Sequence, residues 1–370
     1  TSGAHLYTAY ITHVKFIFPP SLTGNAGILN NNILINPDNI EFLSGYNHKI
    51  NEQTQSFAGG DWDKSEEKFA DTVTYTTLQQ AINSGEDYQK TEFFKISIEK
   101  LQNGQKVWGC ENERELSSLL SLLVSGRRDE TFTMFEAGNK HFEIKVDIGR
   151  SGSQLLVSGA DNLALARLLN MEKIPGIVST RHTKWARFRK RFELLTTNMI
   201  GMSYQPPMHP DLQFIQAKQS SVERLHIIEE NLSVNHGCLL DLGANIGYFT
   251  INMEEKGFDC VAVENFPPFV YCLRGQKKAL NKQFKIITDS ILNSSEITNQ
   301  SYDVALALNI LFHFLYTKES FEKMTAFLER LRCKEFYFEP HLHTDPQLKN
   351  AYINFQENEF VEFVKNKLRS

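Results

Sequence analysis

Twelve residues constrain this chain more than any others. Leu239-Leu240-Asp241-Leu242-Gly243-Ala244-Asn245-Ile246-Gly247-Tyr248-Phe249-Thr250 carries an apolar strand into a glycine-punctuated turn and out into the start of a helix. Gly243 and Gly247 let the backbone turn tightly and come close to a ligand, and the first turn of a helix presents unsatisfied amides to polar atoms. A second apolar strand, Cys260-Val261-Ala262-Val263, ends in Glu264, 23 residues beyond Asp241. An acid at the end of the second strand of a βαβ unit is where a ribose diol is held. Together the turn and the acid point to an adenosine-containing cofactor.

Three more strand ends should open into the same crevice. Phe284-Lys285-Ile286-Ile287 leads to Asp289, whose carboxylate can accept from an adenine amino group. Tyr302 to Leu308 leads to Asn309, and Glu335-Phe336-Tyr337-Phe338 leads to Glu339-Pro340-His341. Ligands of open α/β sheets bind outside the carboxyl ends of their strands, so these residues should converge. The turn reads G-x-N-x-G and not the G-x-G-x-x-G of a pyrophosphate fingerprint, which favours S-adenosylmethionine over nicotinamide or flavin. A hydroxyl acceptor must lose a proton, and two histidines are placed to take it. His313 lies four residues after Asn309, on the same face if that segment is helical, and His341 follows the fifth strand.

Asp241 to Thr250 with Glu264, Asp289 and Asn309 resembles the first four motifs of the class I S-adenosylmethionine-dependent methyltransferases, over about 100 residues. The resemblance implies that Asp241, Gly243, Asn245 and Gly247 form the turn around the methionine moiety. It further places Glu264 on the ribose, Asp289 at the adenine edge and Asn309 beneath the sulfonium. Asn309, His313, Glu339, His341 and His343 together raise the question of a metal. The metal-dependent small-RNA 2′-O-methyltransferases pair two glutamates with a histidine after the fourth strand, and Asn309-Ile310-Leu311-Phe312-His313 lacks those acids, so no metal is expected. A complete class I sheet ordinarily adds two more strands after its last helix, and nothing from Phe363 to Ser370 can supply both.

The other half reads as a separate, smaller α+β domain. Helical spacing is expected over Thr76 to Ser84, Tyr88 to Asn103 and Glu111 to Ser125. A hairpin is expected from Phe142 to Val157, then a helix over Asp161 to Asn170 and a strand over Ile174 to Val178. Gly59-Gly60-Asp61-Trp62-Asp63, Trp108-Gly109-Cys110, Val146 to Arg150, Leu163 to Ala166 and Arg181 to Trp185 resemble the ParB/sulfiredoxin superfamily, whose prokaryotic members often accompany glycan genes. Members usually carry a basic turn before the Leu-Ala-x-Ala helix, where this chain has Gly159-Ala160-Asp161-Asn162. Loss of that cation pair argues against phosphate chemistry and for a degenerate scaffold or acceptor-binding module. The expected division is an irregular segment with short strands over 1–58, the ParB-like domain over 59–195, a Pro-rich linker over 196–219 and a Rossmann-like methyltransferase domain over 220–370.

Composition narrows the partners. The 370 residues carry 39 Lys and Arg against 44 Asp and Glu, a formal charge of −5, so no wholesale grip on nucleic acid is implied. The exception is local. Arg181, Lys184, Arg187, Arg189, Lys190 and Arg191 crowd one segment with Trp185 and Phe188 between them, a pattern that serves either a solvated helix at a domain junction or an anionic acceptor. No apolar run is long enough to span a bilayer. Five scattered cysteines, never spaced C-x-x-C, read as reduced thiols of a cytoplasmic protein. The sequence therefore predicts a methyltransferase acting on a hydroxyl of a sugar, glycan or other small-molecule acceptor. A non-catalytic scaffold and an RNA methyltransferase are the alternatives.

Overall fold

A computed structural model describes residues 14–15, 31–46, 56–127, 144–198, 200–218 and 220–368. The turn-rich stretch from Gly24 to Asn30 and the first residues of the expected hairpin, Phe142 and Glu143, lie outside the described residues. The chain forms two compact units, one of residues 27–190 and one of residues 1–26 with 191–370. Its first strand, β1 (Val14–Lys15), belongs to the second of these.

The 27–190 unit contains β2 (Asn32–Ile35), β3 (Phe42–Leu43), β4 (Ser56–Ala58), α1 (Val73–Asn83), α2 (Glu92–Gln102) and α3 (Glu113–Val124). These are followed by β5 (Ile144–Ile148), β6 (Gln154–Ser158), α4 (Ala160–Leu168) and β7 (Ile174–His182). The sheet is mixed, in the order β2-β7-β5-β6-β3, with β4 alongside the far end of β7. The expected hairpin is there, β5 and β6 pairing antiparallel. One helix is shorter than its periodicity suggests, because Gly85–Lys90 forms a 3-10 turn and α2 starts only after Thr91, whose side chain caps the Phe94 amide. The strand expected over Ile174 to Val178 runs on to His182, and α5 (Thr183–Thr197) begins directly behind it, so the division between the units falls within α5.

That helix accounts for the basic segment. Arg181 is buried at the end of β7 and donates to Asn31 Oδ1 at 3.1 Å. Trp185 and Phe188 pack ring to ring at 5.0 Å, and the Arg191 guanidinium lies 4.7 Å from the Tyr271 ring. Lys184, Arg187 and Lys190 are exposed. The segment is thus an amphipathic element with a buried aromatic seam and not a uniform cationic stripe.

The other unit is a doubly wound α/β layer. It contains α6 (Ser220–Asn231), β8 (Gly237–Leu242), α7 (Tyr248–Glu255), β9 (Phe258–Val263), α8 (Pro267–Ala279), β10 (Lys285–Ile287), α9 (Ser295–Thr298), β11 (Ser301–Leu308), α10 (Lys318–Arg330), β12 (Arg332–Glu339) and α11 (Glu357–Lys367). Every strand is parallel to its neighbours, in the order β10-β9-β8-β11-β12-β1. Alternate residues face opposite cores, as the pleat requires. Leu240, Val261, Ala305 and Phe336 meet α10 and α11 on one side, while Leu239, Cys260, Val304 and Tyr337 meet α6 and α7 on the other. Both faces are covered, which explains why the strands read as near-continuous apolar runs. The strand order reverses between β8 and β11, and a crevice opens at their carboxyl ends. Among the described residues, the edge beyond β12 is occupied by β1, at Phe336 and Tyr337.

Candidate active site

The turn after β8 is built of conformations that ordinary side chains resist. Gly243 (φ +76°) and Gly247 (φ +92°) are left-handed, and a Cβ on them would lie 2.8 Å from Ile310 and 2.4 Å from Leu273. Asn245 between them is also left-handed, at φ +55°, which Asn tolerates better than most residues.

The amides of this turn are all spoken for. Gly243 N and Ala244 N both donate to Val263 O at 2.9 Å, Asn245 N to Glu264 Oε2 at 2.8 Å, and Ile246 N to Asn245 Oδ1 at 2.9 Å. Gly247 N donates to Ala244 O at 2.9 Å, and Tyr248 N, at the head of α7, to Gln205 Oε1 at 3.1 Å. No N–H from Gly243 to Tyr248 is left for a phosphate, although this is where a dinucleotide fold holds its pyrophosphate.

What the crevice offers is carboxylate. Glu264, 8% exposed, accepts through Oε2 from Asn245 and through Oε1 from Phe266 N at 2.8 Å. With the Asn265 amide as a third donor, the carboxylate keeps acceptor capacity for a ribose hydroxyl. Burial raises its proton affinity against the pull of those amides. Asp241 accepts from Thr250 Oγ1 at 2.6 Å and is pushed up to about 6 by burial, with the Glu264 charge adding to the rise. Asp289 is different. It is exposed, it accepts from its own neighbour Ser290 N at 2.7 Å, and among the described residues no bond ties it to the others.

Asn309 follows β11 with a left-handed backbone, φ +55°. Its Nδ2 donates to Tyr204 Oη at 3.0 Å and its Oδ1 accepts from His341 Nδ1 at 2.7 Å. The other ring nitrogen of His341 lies 2.9 Å from Asp345 Oδ2, close enough for attraction though off the line of a directed hydrogen bond, and the ring stacks on Phe312 at 4.0 Å. Both nitrogens of His341 are therefore engaged. His313 sits on Phe312 as well, ring centroids 4.0 Å apart, with its other side exposed. The segment expected to be helical is a short 3-10 turn, Leu311–Phe314, so it is Phe312, and not an α-helical face, that brings His313 and His341 together. Desolvation first, and the neighbouring His341 second, lower the pKa of His313. His343 is held by Glu357 Oε1 at 3.1 Å, and no three potential ligands cluster as a metal site among the described residues.

Several site-forming residues carried no motif. The connector from Ser203 to Lys218 is a closed loop, its ends joined by Ser203 N to Gln216 O at 2.8 Å and Lys218 N to Ser203 O at 3.0 Å. Gln205 caps α7, and buried Gln276 of α8 clamps the same loop, accepting from Met208 N at 2.6 Å and donating to Ile246 O at 2.7 Å. Beyond Asn309 lies a buried ion pair. Arg224 donates to Glu339 Oε1 through Nη2 at 2.7 Å and Nε at 3.1 Å, both side chains being 5% exposed. Burial outweighs the pull of Arg224 and pushes Glu339 up to about 6. Glu339 Oε2 and, one helical turn before Arg224, Ser221 Oγ are buried without a partner, each a cost of about 1–3 kcal/mol unless something supplies the missing bond. The Pro-rich text around Pro206-Pro207 was the one sequence signal there, and it indicates only a non-helical path.

No described protein family and no curated protein matches the chain. Among solved structures it is similar to the bifunctional kinase-methyltransferase WbdD, with 18% identity over 42% of this chain and 36% of that one and a TM-score of 0.35. It is also similar to magnesium protoporphyrin IX methyltransferase (ChlM) from Synechocystis PCC 6803 with bound SAM, with 18% identity over 40% and 65% and a TM-score of 0.29. A third is an S-adenosylmethionine-dependent methyltransferase from Clostridium acetobutylicum ATCC 824, with 15% identity over 41% and 56% and a TM-score of 0.29. The chain thus spans between about a third and two thirds of each of these proteins. Every score is below 0.5, so functional assignment has to rest on the chemistry of the crevice.

Proposed function

We propose that the chain is an S-adenosylmethionine-dependent methyltransferase that methylates a hydroxyl of a sugar or other small polar acceptor. One observation carries this reading: every amide from Gly243 to Tyr248 is consumed within the chain, while Asp241 and Glu264 stand buried beside it with, among the described residues, no cation bonded to either. Such a crevice disfavours an anionic pyrophosphate and suits a ligand that brings a diol and a positive charge. S-adenosylmethionine has both, and when bound it supplies a methyl group already activated on a sulfonium.

The residues have separable tasks. Glu264 holds the ribose hydroxyls, the Gly243 to Gly247 turn admits the methionine moiety against bare backbone, and Asp289 stands at the rim for the adenine edge. Asn309, pinned between Tyr204 and His341, forms the floor. Alignment of the acceptor supplies much of the acceleration of such a transfer. His313, whose pKa is lowered so that the ring is neutral at pH 7, takes the acceptor's proton. His341, with both nitrogens engaged, orients Asn309. The 27–190 unit acts as a scaffold, since Asp161 of its ParB-like turn is occupied by Lys100 at 3.0 Å.

Calorimetry with S-adenosylhomocysteine, NADH and FAD tests the assignment. Binding of the first alone is expected, weakened at least tenfold in Glu264→Ala, since two charge-assisted bonds are worth about 1.5–3 kcal/mol each. Wild-type affinity in that variant would overturn it, and no binding at all would favour a non-catalytic role.

A further inference from the structure

The geometry points to a second ligand subsite at the end of β12, in which Glu339 Oε2 accepts a hydrogen bond from an acceptor hydroxyl other than the one methylated. This rests on the methyltransferase reading above and narrows its acceptor to a compound with at least two hydroxyls.

The subsite is a series of polar side chains along the ends of β11 and β12. Leu308 and Glu339 are register partners on β11 and β12, which sets Asn309 beside Glu339 at the strand ends. Asn309 Nδ2 donates to Tyr204 Oη, the Arg224 guanidinium lies 5.9 Å from the centre of the Tyr204 ring, and Arg224 donates to Glu339 Oε1. At the end of this series Glu339 Oε2 is buried and, among the described residues, has no hydrogen-bond partner. On the same helix as Arg224, Ser221 Oγ is buried without a partner too. A buried oxygen without a partner calls for an explanation, and at the strand ends beside Asn309 a bond completed from outside the chain supplies one.

Charge and position decide what completes it. Arg224 already neutralises Glu339, so the missing piece is a hydrogen-bond donor and not a counter-charge; a neutral hydroxyl fits, and an anion does not. The donor's ribose belongs to Glu264 on β9, three strands away in the order β9-β8-β11-β12. At about 4.8 Å per strand that is ~14 Å across the sheet, with Asn309 between the two glutamates. Glu339 therefore lies on the acceptor side of the floor. Burial raises the proton affinity of Glu339, and a bond donated to Oε2 by a ligand would bring it back down.

The experiment is a crystal structure of the full chain with S-adenosylhomocysteine, grown with methyl α-D-glucopyranoside at high concentration as the polyol probe, together with saturation-transfer NMR of the same mixture in solution. A probe hydroxyl within hydrogen-bond distance of Glu339 Oε2, with the NMR signal reduced at least fivefold in Glu339→Gln and S-adenosylhomocysteine affinity unchanged within twofold, is the expected result. The donor's ammonium on Glu339, an ordered water alone there, or the probe bound elsewhere or only at crystal concentration would each overturn the subsite. Failure of S-adenosylhomocysteine to bind overturns the methyltransferase reading instead. Because Glu339→Gln leaves Arg224 without its charge partner, the double variant Arg224→Met with Glu339→Gln, which removes both charges, serves as the second; it should lose the probe signal to the same extent, and circular dichroism checks that both variants fold.

Discussion

Two helices in this molecule begin on a left-handed glycine at the end of a strand, α4 on Gly159 (φ +90°) and α7 on Gly247 (φ +92°), neither with a side-chain cap at that residue. The backbone solution is the same, but the charges around it are not. Beside α4, Asp161 takes Lys100 Nζ on its carboxylate and Trp108 Nε1 on its carbonyl, and both partners of the ion pair are about one third exposed. Beside α7, Asp241 and Glu264 are buried and repel one another with, among the described residues, no cation bonded to either. The glycine is thus a device of the fold, shared by both junctions. What distinguishes the two junctions is the pair of buried carboxylates beside α7, where the proposed ligand would sit.

The sharpest way to break the comparison is through pH. Asp241 holds its proton up to about pH 6 in the folded chain and to about 3.8 when unfolded, so the folded state binds more protons across that window. Stability is therefore highest below about pH 4 for this group and is lost as the pH rises to about 6, by about 3 kcal/mol at 1.36 kcal/mol per unit. Burial of Glu264 acts in the same sense. Urea unfolding of wild type and Asp241→Asn from pH 4 to 7 should show the wild type falling relative to the variant by that order; parallel curves would mean that burying the Asp241 charge beside Glu264 carries no such cost.

The glycines sharpen it next. Gly247→Ala meets both the left-handed penalty, about 1–2 kcal/mol, and Leu273 at 2.4 Å, so urea unfolding should show a loss larger than that penalty alone. It should also abolish S-adenosylhomocysteine binding, which Gly159→Ala leaves intact; calorimetry on both proteins decides. The smallest effect belongs to the half-exposed pair. Lys100→Met should cost under about 1 kcal/mol in urea unfolding and leave donor affinity unchanged, because an ion pair this exposed is screened by water.

The parts of the site that were legible in the sequence are those whose meaning is local. Asp241 through Gly247 and the acid at 264 follow from strand and turn chemistry within one βαβ unit, and the near-continuous apolar runs of these strands fit a sheet covered on both faces. His313 was placed by an α-helical spacing, and the true device is a 3-10 turn with Phe312 as spacer. Gln205, Gln276 and the Arg224–Glu339 pair were invisible for a different reason. Their partners stand 43, 68 and 115 residues away, and a glutamine or arginine carries no periodicity that would announce a distant mate. Within the 27–190 unit, the same applies to β2, whose place in the sheet depends on pairing with β7 across more than 130 residues.

The loop from Ser203 to Lys218 carries a kinetic consequence. Because its ends are tied to one another and its middle is clamped by Gln276, the entropy of closing it is lost once, when the unit folds, and not again at each encounter with a ligand. A molecule entering the crevice meets a wall already standing, so its association should be a single phase, linear in ligand concentration, with no slow ordering step behind it.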